Sequence, residues 1–343
     1  MNKPMNFPII SVVIPMYNVE QYIETCIRSV LSQSFQQFEI ICVDDGCTDA
    51  TIDKLNIFSD KRIRIITQKN RGLAAARNTG INASRGLYVA LLDSDDFWAP
   101  SKLAKHYQHL SRNSRLGVSY SGSLFVDEQD QALGTGQFPQ LSDIEAETIF
   151  CRNPVGNGSA PVIRSSLLRE MGRIDWINGE RRRCYFDENL RQSEDVEFWL
   201  RIALHTDWQF EGIDEALSYY RVNESGLSAN IDDQLNAWNV SVEKNRIGHE
   251  SFFTRWYSLA KAYQLRYLAR RAIRSGDGLS ALKLVHQALF TNVNIIIHEP
   301  GRTALTYACA FLALLPRRIY QLMENAATQF VGKDRSVMSQ GGG

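Results

Sequence analysis

The sequence predicts an α/β protein in which a doubly wound, mixed but mostly parallel β-sheet is followed by a C-terminal helical region. Over residues 9–92, short apolar runs alternate with segments of helical periodicity, an order typical of parallel sheets covered by helices. Beyond Asn230 the strand pattern ends, while helical periodicity continues with few turn signals. These two observations predict one sheet-based domain and one helical region.

The strands and helices are predicted in chain order from these runs. The run at 88–92 is continuously apolar, as in a strand that is buried on both faces of a parallel sheet. In order, the predicted elements are strand 9–15, helix 19–33, strand 38–43, a helix from Thr48, strand 63–67, helix 72–83 and strand 88–92. We expect a first domain over 1–225, a helical region over 226–330 and a disordered tail over 331–343, which ends in three glycines.

Composition excludes several classes of protein. The chain has 38 basic and 38 acidic side chains, and this zero net charge argues against a protein built to bind nucleic acid. The first residues lack the basic segment and apolar stretch of a secretory signal. The longest apolar run, over 304–315, is shorter than the roughly 20 residues that a membrane-spanning helix needs. We therefore expect a cytoplasmic protein.

The turn after the first predicted strand lacks glycine, which narrows the class of nucleotide ligand. Residues 15–20 read PMYNVE, and the first glycine in the chain is Gly46. A dinucleotide-binding fold needs a G-x-G-x-x-G sequence at this turn so that the backbone can approach a pyrophosphate. No Walker A sequence occurs either. Nicotinamide, flavin and P-loop chemistry are therefore disfavoured, as is a sugar-nucleotide pyrophosphorylase.

An acidic cluster directly follows the apolar strand that ends at Leu92. Asp93, Asp95 and Asp96 lie within four positions, at the strand end where open α/β sheets bind ligands. Crowded carboxylates repel each other unless a divalent cation joins them, and Mn²⁺ or Mg²⁺ would suit a phosphate-bearing substrate. The alternative is an acidic turn that caps the next helix, with Pro100 in the first turn of that helix.

A second acidic cluster, Asp44 and Asp45, closes the second predicted strand. If the strand order is conventional, the two clusters end neighbouring strands and meet at one cleft. Either aspartate could accept the imide hydrogen of a uracil; the alternative is an aspartate-rich turn in which Gly46 supplies a positive φ. Residues 70–78, NRGLAAARN, add Arg71 and Arg77 among small residues, and Arg77 could neutralise a diphosphate.

These motifs resemble those of the family 2 inverting glycosyltransferases with the GT-A fold. The resemblance rests on SVVIPMYN at 11–18, VDDGCTD at 43–49, NRG to Asn78 at 70–78 and LDSDD at 92–96, and further on SEDVEFWLR at 193–201 resembles the acceptor-side acidic motif of that family. The match covers about residues 8–225. It implies a metal-dependent enzyme, with Mn²⁺ or Mg²⁺, that moves a sugar from a nucleotide-sugar donor, UDP-linked in our interpretation, to a glycan or lipid-linked saccharide in envelope polysaccharide biosynthesis.

The resemblance also implies roles for individual residues. Asp93 and Asp95 would form the DxD element, with Asp95 the direct metal ligand, and Asp195 would be the base, with Glu194 beside it as the other candidate. Ser193 is expected to cap the helix that begins at Glu194. The nucleotide-sugar would be held by Pro15, Tyr17, Asn18, Asp44, Asp45, Arg71, Arg77, Asp93 and Ser94.

Two departures from the family pattern bear on the reaction. Many relatives carry a histidine in the segment that matches 219–225, where this chain has Asn223, whose side chain can coordinate a metal through its oxygen but cannot titrate. The Gln-x-x-Arg-Trp segment of processive synthases is absent, which favours transfer of one sugar per encounter. Residues 153–161 predict either an acceptor-facing loop, in which Asn157 and Ser159 offer hydrogen bonds, or a plain turn.

Two further alternatives concern partners and activity. One helical face carries Arg266, Arg270 and Arg274, and this face could bind to the anionic inner surface of the cytoplasmic membrane. The alternative is a solvated helix face over a buried helical core.

The contrasting hypothesis to a transferase is a non-catalytic protein of the same fold that binds sugar-nucleotides or glycans. Intact acids at Asp93, Asp95 and Asp195 argue against that hypothesis, because a binding protein need not keep both a metal site and a base.

Overall fold

The computed structural model describes residues 7–177, 179–222 and 231–315, which form two compact units. Within the described residues, one unit contains the chain up to 149 together with 153–222 and 237–245. The other contains 150–152, 231–236 and the residues from 246 onward. The predicted tail over 331–343 lies outside the described residues, as does Asn223.

The first unit is built on a nine-stranded mixed sheet. Its strand order is β3-β2-β1-β4-β8-β6-β11-β5, with β7 paired to β6, and β9 and β10 form a separate two-stranded hairpin. The strands β3, β2, β1 and β4 are parallel, as are β6 and β11, whereas β8 is antiparallel to both of its neighbours. The bounds are β1 Ile10–Met16, β2 Phe38–Asp44, β3 Ile63–Thr67, β4 Tyr88–Leu91, β5 Phe97–Trp98, β6 Leu116–Val126, β7 Ala132–Gln137, β8 Val162–Arg164, β9 Arg173–Ile177, β10 Glu180–Cys184 and β11 Gln209–Arg221.

The helices fall close to the predicted positions in the first part of the chain. The helix predicted at 72–83 is observed at Leu73–Ala83, whereas the one predicted at 19–33 is shorter at both ends. The bounds are α1 Ile23–Leu31, α2 Thr51–Leu55, α3 Leu73–Ala83, α4 Lys102–Arg112, α5 Ala146–Cys151, α6 Ser165–Met171, α7 Glu194–His205, α8 Ile231–Arg246, α9 Glu250–Arg274, α10 Gly278–Thr291, α11 Asn294–His298 and α12 Pro300–Leu312.

The core of the first unit explains why its central strands are rich in apolar residues. Every residue of β1, β2 and β4 is buried, because helices cover the sheet on both faces. On one face, the apolar side of α1 (Ile23, Ile27 and Val30) packs against the strands in the main cluster of the core. The carboxyl ends of these strands are thereby held at one rigid edge.

The strand order corrects one prediction about this edge. Asp44 ends β2 and Asp93 follows β4, but β1 lies between those two strands and pairs with both. The two acidic clusters therefore do not end neighbouring strands. The end of β1, with Met16 opposite Asp44, separates them, so a ligand that reaches both clusters must cross the turn that follows Met16.

The second unit is helical and is tied together by a buried ion pair. Arg266 on α9 bonds to the carboxylate of Glu299 and donates to Thr303 Oγ1 at 2.7 Å. The prediction that Arg266 lies on a membrane-facing surface is therefore wrong, whereas Arg270 and Arg274 are exposed. Burial raises the pKa of Glu299, but the hydrogen bond from Arg266 and the positive charges of Arg266, Arg152 and Arg302 outweigh burial, so this pKa is lowered overall. Within the described residues, no helix is long and apolar enough to cross a membrane.

Candidate active site

The two aspartates at the end of β2 have different surroundings. The Asp45 carboxylate accepts hydrogen bonds from the backbone N–H groups of Arg71 and Gly72, at 3.0 and 2.9 Å, and from Gln68 Nε2. It therefore fixes the start of α3. Burial raises the pKa of Asp45, although the bonds from Gln68 and Gly72 oppose that rise.

Asp44 is the better candidate to meet a nucleobase. Its Oδ1 accepts from the N–H groups of Gly46 and Cys47, at 3.1 and 2.8 Å, which closes a turn in which Gly46 has φ +82°. Both of these backbone bonds are made to Oδ1, and the side chain of Cys47 also interacts with this carboxylate. One carboxylate oxygen therefore holds the backbone of the turn, and Oδ2 takes no part in those two bonds.

The turn after β1 joins this region to the neighbouring strand. Pro15 is buried within β1, whereas the Tyr17 side chain is 53% exposed at the strand end. Asn18 has a positive φ of 53°, and its Oδ1 accepts from the N–H of Thr48 at 2.8 Å. Tyr17 is thus the exposed aromatic surface of the turn, while Asn18 fastens the turn to the segment after β2.

The Arg71 guanidinium contacts Gln68, Thr79 and Glu188 in this structure. Its Nη2 donates to Gln68 Oε1 at 2.6 Å and to Thr79 Oγ1 at 3.2 Å, and its Nη1 lies 3.9 Å from Glu188. These partners hold the guanidinium on the side of α3 that lies away from Asp93. A direct role for the Arg71 side chain in diphosphate binding would require it to leave these partners.

Arg77 joins the two sets of acids that the sequence places far apart. Its Nη2 donates to Asp93 Oδ1 and its Nη1 to Glu194 Oε1, both at 2.6 Å, and the side chain is 3% exposed. Burial would lower the pKa of Arg77, but the negative charges of Asp93 and Glu194 outweigh it and keep the guanidinium charged. Its Nε finds no partner among the described residues. The loop after β4 and the start of α7 therefore meet at one buried cation.

Glu194 and Asp195, at the start of α7, differ in accessibility. Glu194 is buried against Arg77, and burial raises its pKa to about 7 despite that positive charge. Asp195 is partly exposed; its Oδ2 lies 3.5 Å from Asn153 Nδ2. Burial also raises the pKa of Asp195, with Arg77 opposing the rise. Helix α7 begins at Glu194 as predicted, but Ser193 makes no capping hydrogen bond because its backbone is left-handed, with φ +58°.

Asp96 is a structural acid rather than an exposed ligand. It is 1% exposed, and its carboxylate accepts from Ser159 Oγ at 2.5 Å and from the N–H of Arg221 at 2.8 Å. Burial, together with the charges of Asp95 and Asp93, raises its pKa well above the usual range. Ser94 is buried as well. Asp93 and Asp95, by contrast, are both partly exposed.

Arg221 was not identified by sequence reasoning, although it clamps the acidic loop. Its Nε donates to the backbone carbonyl of Asp95 at 2.9 Å, and its guanidinium also bonds to the Asp127 carbonyl and to Asp130. The guanidinium carbon lies 4.3 Å from the ring centre of Tyr22. The only signal in the sequence was its place at the end of a strand run, which does not reveal these partners.

The loop at 153–161 packs against the acidic residues and holds them in position. Ser159 is fully buried, and its Oγ accepts from the N–H of Asp93 at 3.0 Å, so the expectation that Ser159 binds a sugar is wrong. Asn157 is also engaged, since its Nδ2 donates to Ser123 Oγ at 2.8 Å. Gly158 lies directly against Arg77 and Asp93, where a β-carbon would overlap both side chains. The loop therefore sets the position of the Arg77–Asp93 pair.

The donor set at this edge fits a hard divalent cation that is shared with a substrate. Among the described residues, no group of three or more His, Cys, Asp or Glu side chains could hold a metal by itself. Asp93 and Asp95 offer carboxylate oxygens, and Mg²⁺ is typically held by one or two carboxylates plus substrate phosphates and water. The residues therefore fit a cation that binds together with a diphosphate.

Comparison with known proteins assigns the sequence to a family. The family model described as glycosyl transferase family 2 matches residues 11–172. The putative teichuronic acid biosynthesis glycosyltransferase TuaG of Bacillus subtilis is 32% identical over 228 residues, which are 65% of this chain and 82% of TuaG. The uncharacterized glycosyltransferase EpsJ of the same organism is 31% identical over 233 residues, which are 64% of this chain and 63% of EpsJ. This chain thus spans less than two thirds of EpsJ.

Solved structures show the same fold. TarS 1–349 of S. aureus, in complex with UDP-GlcNAc, has a TM-score of 0.53 and 19% identity, over 90% of this chain and 82% of that one. The mannosyltransferase PcManGT of Pyrobaculum calidifontis, in complex with GDP-Man and Mn²⁺, has a TM-score of 0.52 and 17% identity, over 90% and 86%. The predicted GT-A fold class, with its C-terminal helices, is confirmed.

Proposed function

The chain belongs to glycosyl transferase family 2, and from that premise we propose that it moves one sugar from a UDP-sugar onto a glycan or lipid-linked saccharide, with inversion at the anomeric carbon. The observation that carries the proposal is the contact of Arg77 with both Asp93 and Glu194. This contact joins the proposed diphosphate site to the start of α7, where Glu194 lies next to Asp195, the proposed base. The similarity to TuaG, a putative teichuronic acid biosynthesis glycosyltransferase, supports envelope polysaccharide synthesis as the setting.

The choice of a UDP-sugar rests on this chain's own residues. The two solved structures bind different nucleotides, UDP-GlcNAc and GDP-Man, so the fold alone does not select the base. Asp44 has an acceptor oxygen beside the exposed ring of Tyr17 at the adjoining strand end. A carboxylate can accept the imide hydrogen of uracil, while an aromatic ring can stack on the base.

In the proposed reaction, each charged residue of the site has a separate role. Asp195 takes the proton of the acceptor hydroxyl as the oxygen attacks the anomeric carbon, and the bond to the nucleoside diphosphate breaks on the opposite face. Arg77 neutralises part of the charge that develops on the diphosphate. Asp93 and Asp95 would hold a Mn²⁺ or Mg²⁺ ion, which supplies Lewis-acid stabilisation of that charge when bound. Glu194 is a positioning residue, because it is buried against Arg77.

The C-terminal helices support peripheral contact with a membrane. Several apolar side chains of that unit are strongly exposed, among them Phe290 at 90%, Ile297 at 76% and Leu305 at 65%. Arg270 and Arg274 are exposed in the same unit. Exposed apolar side chains combined with arginines suit an anionic lipid surface, on which a lipid-linked acceptor would be presented.

Release of nucleoside diphosphate from a panel of nucleotide-sugars, with and without EDTA, tests the transfer reaction. We expect UDP to be released from a UDP-sugar, faster with an acceptor saccharide, and the release to stop when EDTA removes the cation. Thermal shifts with the same panel measure binding separately. Binding of a UDP-sugar without any turnover would favour the alternative of a non-catalytic binding protein, and turnover of a GDP-sugar alone would overturn the proposed base.

A further inference from the structure

The hairpin of β9 and β10 has one face that is fixed to the first unit. Cys184 is fully buried there, and opposite it Arg173 pairs with Asp187 at 3.4 Å. On the same face, Arg182 lies 3.7 Å from Glu188. Ion pairs and a buried cysteine thus hold the inner face of the hairpin.

The outer face of the hairpin is formed by two apolar residues and two arginines. Ile174 is 48% exposed and Trp176 is 71% exposed. The antiparallel register places Arg183 directly opposite Ile174 and Arg181 directly opposite Trp176, and both arginines are exposed. Directly paired residues project from the same face of a ribbon. These four residues, which we call the outer face, therefore form one apolar and cationic surface.

The outer face has a fixed orientation, because the hairpin and the segment after it are fastened to α3. Asn82 Nδ2 donates to the backbone carbonyl of Arg183 at 2.8 Å. Asn78 Oδ1 accepts from the N–H groups of Tyr185 and Phe186, both at 2.9 Å. Since α3 also carries Arg77, the outer face is a rigid part of the unit that holds the candidate active site.

The chemistry of this face selects one kind of partner. The side chains of these four residues are apolar or cationic and include no carboxylate, amide or hydroxyl group, and the neighbouring Tyr185 hydroxyl, which interacts with Arg183, belongs to a buried residue. The four side chains therefore offer a neutral saccharide no acceptor for its hydroxyl hydrogens. Tryptophan is favoured at the level of lipid headgroups, arginine binds their phosphates, and an exposed isoleucine gains from entering the acyl boundary.

We propose that the outer face of the β9–β10 hairpin docks on an anionic phospholipid surface. This docking is separate from the proposed transfer reaction, because lipid binding needs neither donor nor acceptor. It is also separate from membrane contact by the C-terminal helices, since the four residues belong to the first unit.

Binding of the full chain to phosphatidylglycerol vesicles, with phosphatidylcholine vesicles as the neutral reference, tests the proposal. We expect cosedimentation with the anionic vesicles and a blue shift of tryptophan emission that disappears in Trp176→Phe. The double variant Arg181→Glu/Arg183→Glu should bind at least about tenfold more weakly, since each basic residue near such a surface contributes about fivefold. Far-ultraviolet circular dichroism and thermal unfolding show whether the variants are folded.

The double variant Arg112→Glu/Arg115→Glu is the matched control, because it makes the same change of charge at exposed positions outside the hairpin. It should bind anionic vesicles within about threefold of the parent. Equal losses in the two double variants would overturn the proposal, as would a blue shift that survives Trp176→Phe. A response of Trp176 to a soluble anionic polysaccharide, with none to vesicles, would assign the face to an anionic glycan instead.

Discussion

Asp93, Asp95 and Asp96 are close in sequence but differ in what surrounds them. The sequence identified all three, because they directly follow a run that reads as a buried strand. It could not divide their roles, since those depend on the approach of Ser159 and Arg221 from distant parts of the chain. The partly exposed Asp93 and Asp95 remain candidate ligands, while the buried Asp96 holds the loop in place.

Substitution of these acids should separate metal binding from structure. Asp95→Asn is expected to abolish transfer and to remove most of the Mn²⁺-dependent stabilisation by UDP, because an amide is a weaker ligand for a hard cation. Asp96→Asn should instead lower the free energy of unfolding by about 1–3 kcal/mol, since its amide cannot accept both buried donors. Calorimetric titration with UDP and thermal unfolding measure the two effects. Equal, small effects of both substitutions on UDP binding would contradict the DxD assignment.

The proposed base gives a prediction about pH. Burial raises the pKa of Asp195, and a base acts only when unprotonated. The rate of transfer should therefore fall as the pH drops through this raised pKa, at a higher pH than an ordinary aspartate would give. Asp195→Asn keeps the shape but removes the basicity, so transfer should fall by about 10²–10⁴-fold while UDP affinity is retained.

Initial rates across pH and parallel UDP titrations check this assignment, with Glu194→Gln as the companion variant. Glu194→Gln retains a hydrogen-bond acceptor for Arg77 and should keep the acidic limb of the pH profile. If Asp195→Asn transferred sugar at close to the parent rate, or lost UDP binding together with activity, another group would be the base.

At the scale of elements, the sequence predicted the first four parallel strands well and their neighbours poorly. The strands β1, β2 and β4 are buried along their whole length and rich in apolar residues, which leaves a strong signal in the sequence. Strand β11 contains exposed polar residues and register shifts, and β5 has only two residues. Strand order is also set by tertiary pairing, which explains why β1 between the acidic clusters was not anticipated.

The loop before β8 provides a prediction at this scale. A β-carbon at position 158 would overlap Arg77 and Asp93, so Gly158→Ala should displace the guanidinium and lower kcat/KM by about 10–100-fold. Gly301→Ala is the control, because nothing lies near its position in α12; it should stabilise the protein by about 0.5–1 kcal/mol without changing activity. Steady-state kinetics and thermal unfolding compare the two. Unchanged kinetics for Gly158→Ala would show that the loop does not set the Arg77–Asp93 geometry.

At the scale of the whole molecule, helical periodicity identified the C-terminal region but did not reveal which charges it buries. Arg266, Arg270 and Arg274 share a face by spacing alone. The structure separates them, because Glu299 on another segment reaches Arg266 and not the other two. The spacing of residues within one helix gives no information about the ion pair of Arg266 with Glu299, which lies 33 residues further along the chain.

This separation gives opposite expectations for charge reversal within one helix. Arg266→Glu would set a second carboxylate beside the buried Glu299, and it should lower the free energy of unfolding by about 3–5 kcal/mol. Arg270→Glu/Arg274→Glu changes exposed positions, so stability should stay within about 1 kcal/mol. If the C-terminal helices contact an anionic membrane, that double variant should bind phosphatidylglycerol vesicles at least about tenfold more weakly than the parent protein does.

Thermal unfolding and cosedimentation at low salt measure these outcomes, and Arg112→Glu/Arg115→Glu again controls for net charge. A combined variant, with Arg181→Glu and Arg183→Glu added, distinguishes one docking surface from two. If both surfaces bind lipid independently, the losses in binding free energy should add. If only the hairpin binds, reversal at 270 and 274 will leave vesicle binding unchanged, and membrane contact by the C-terminal helices must be abandoned.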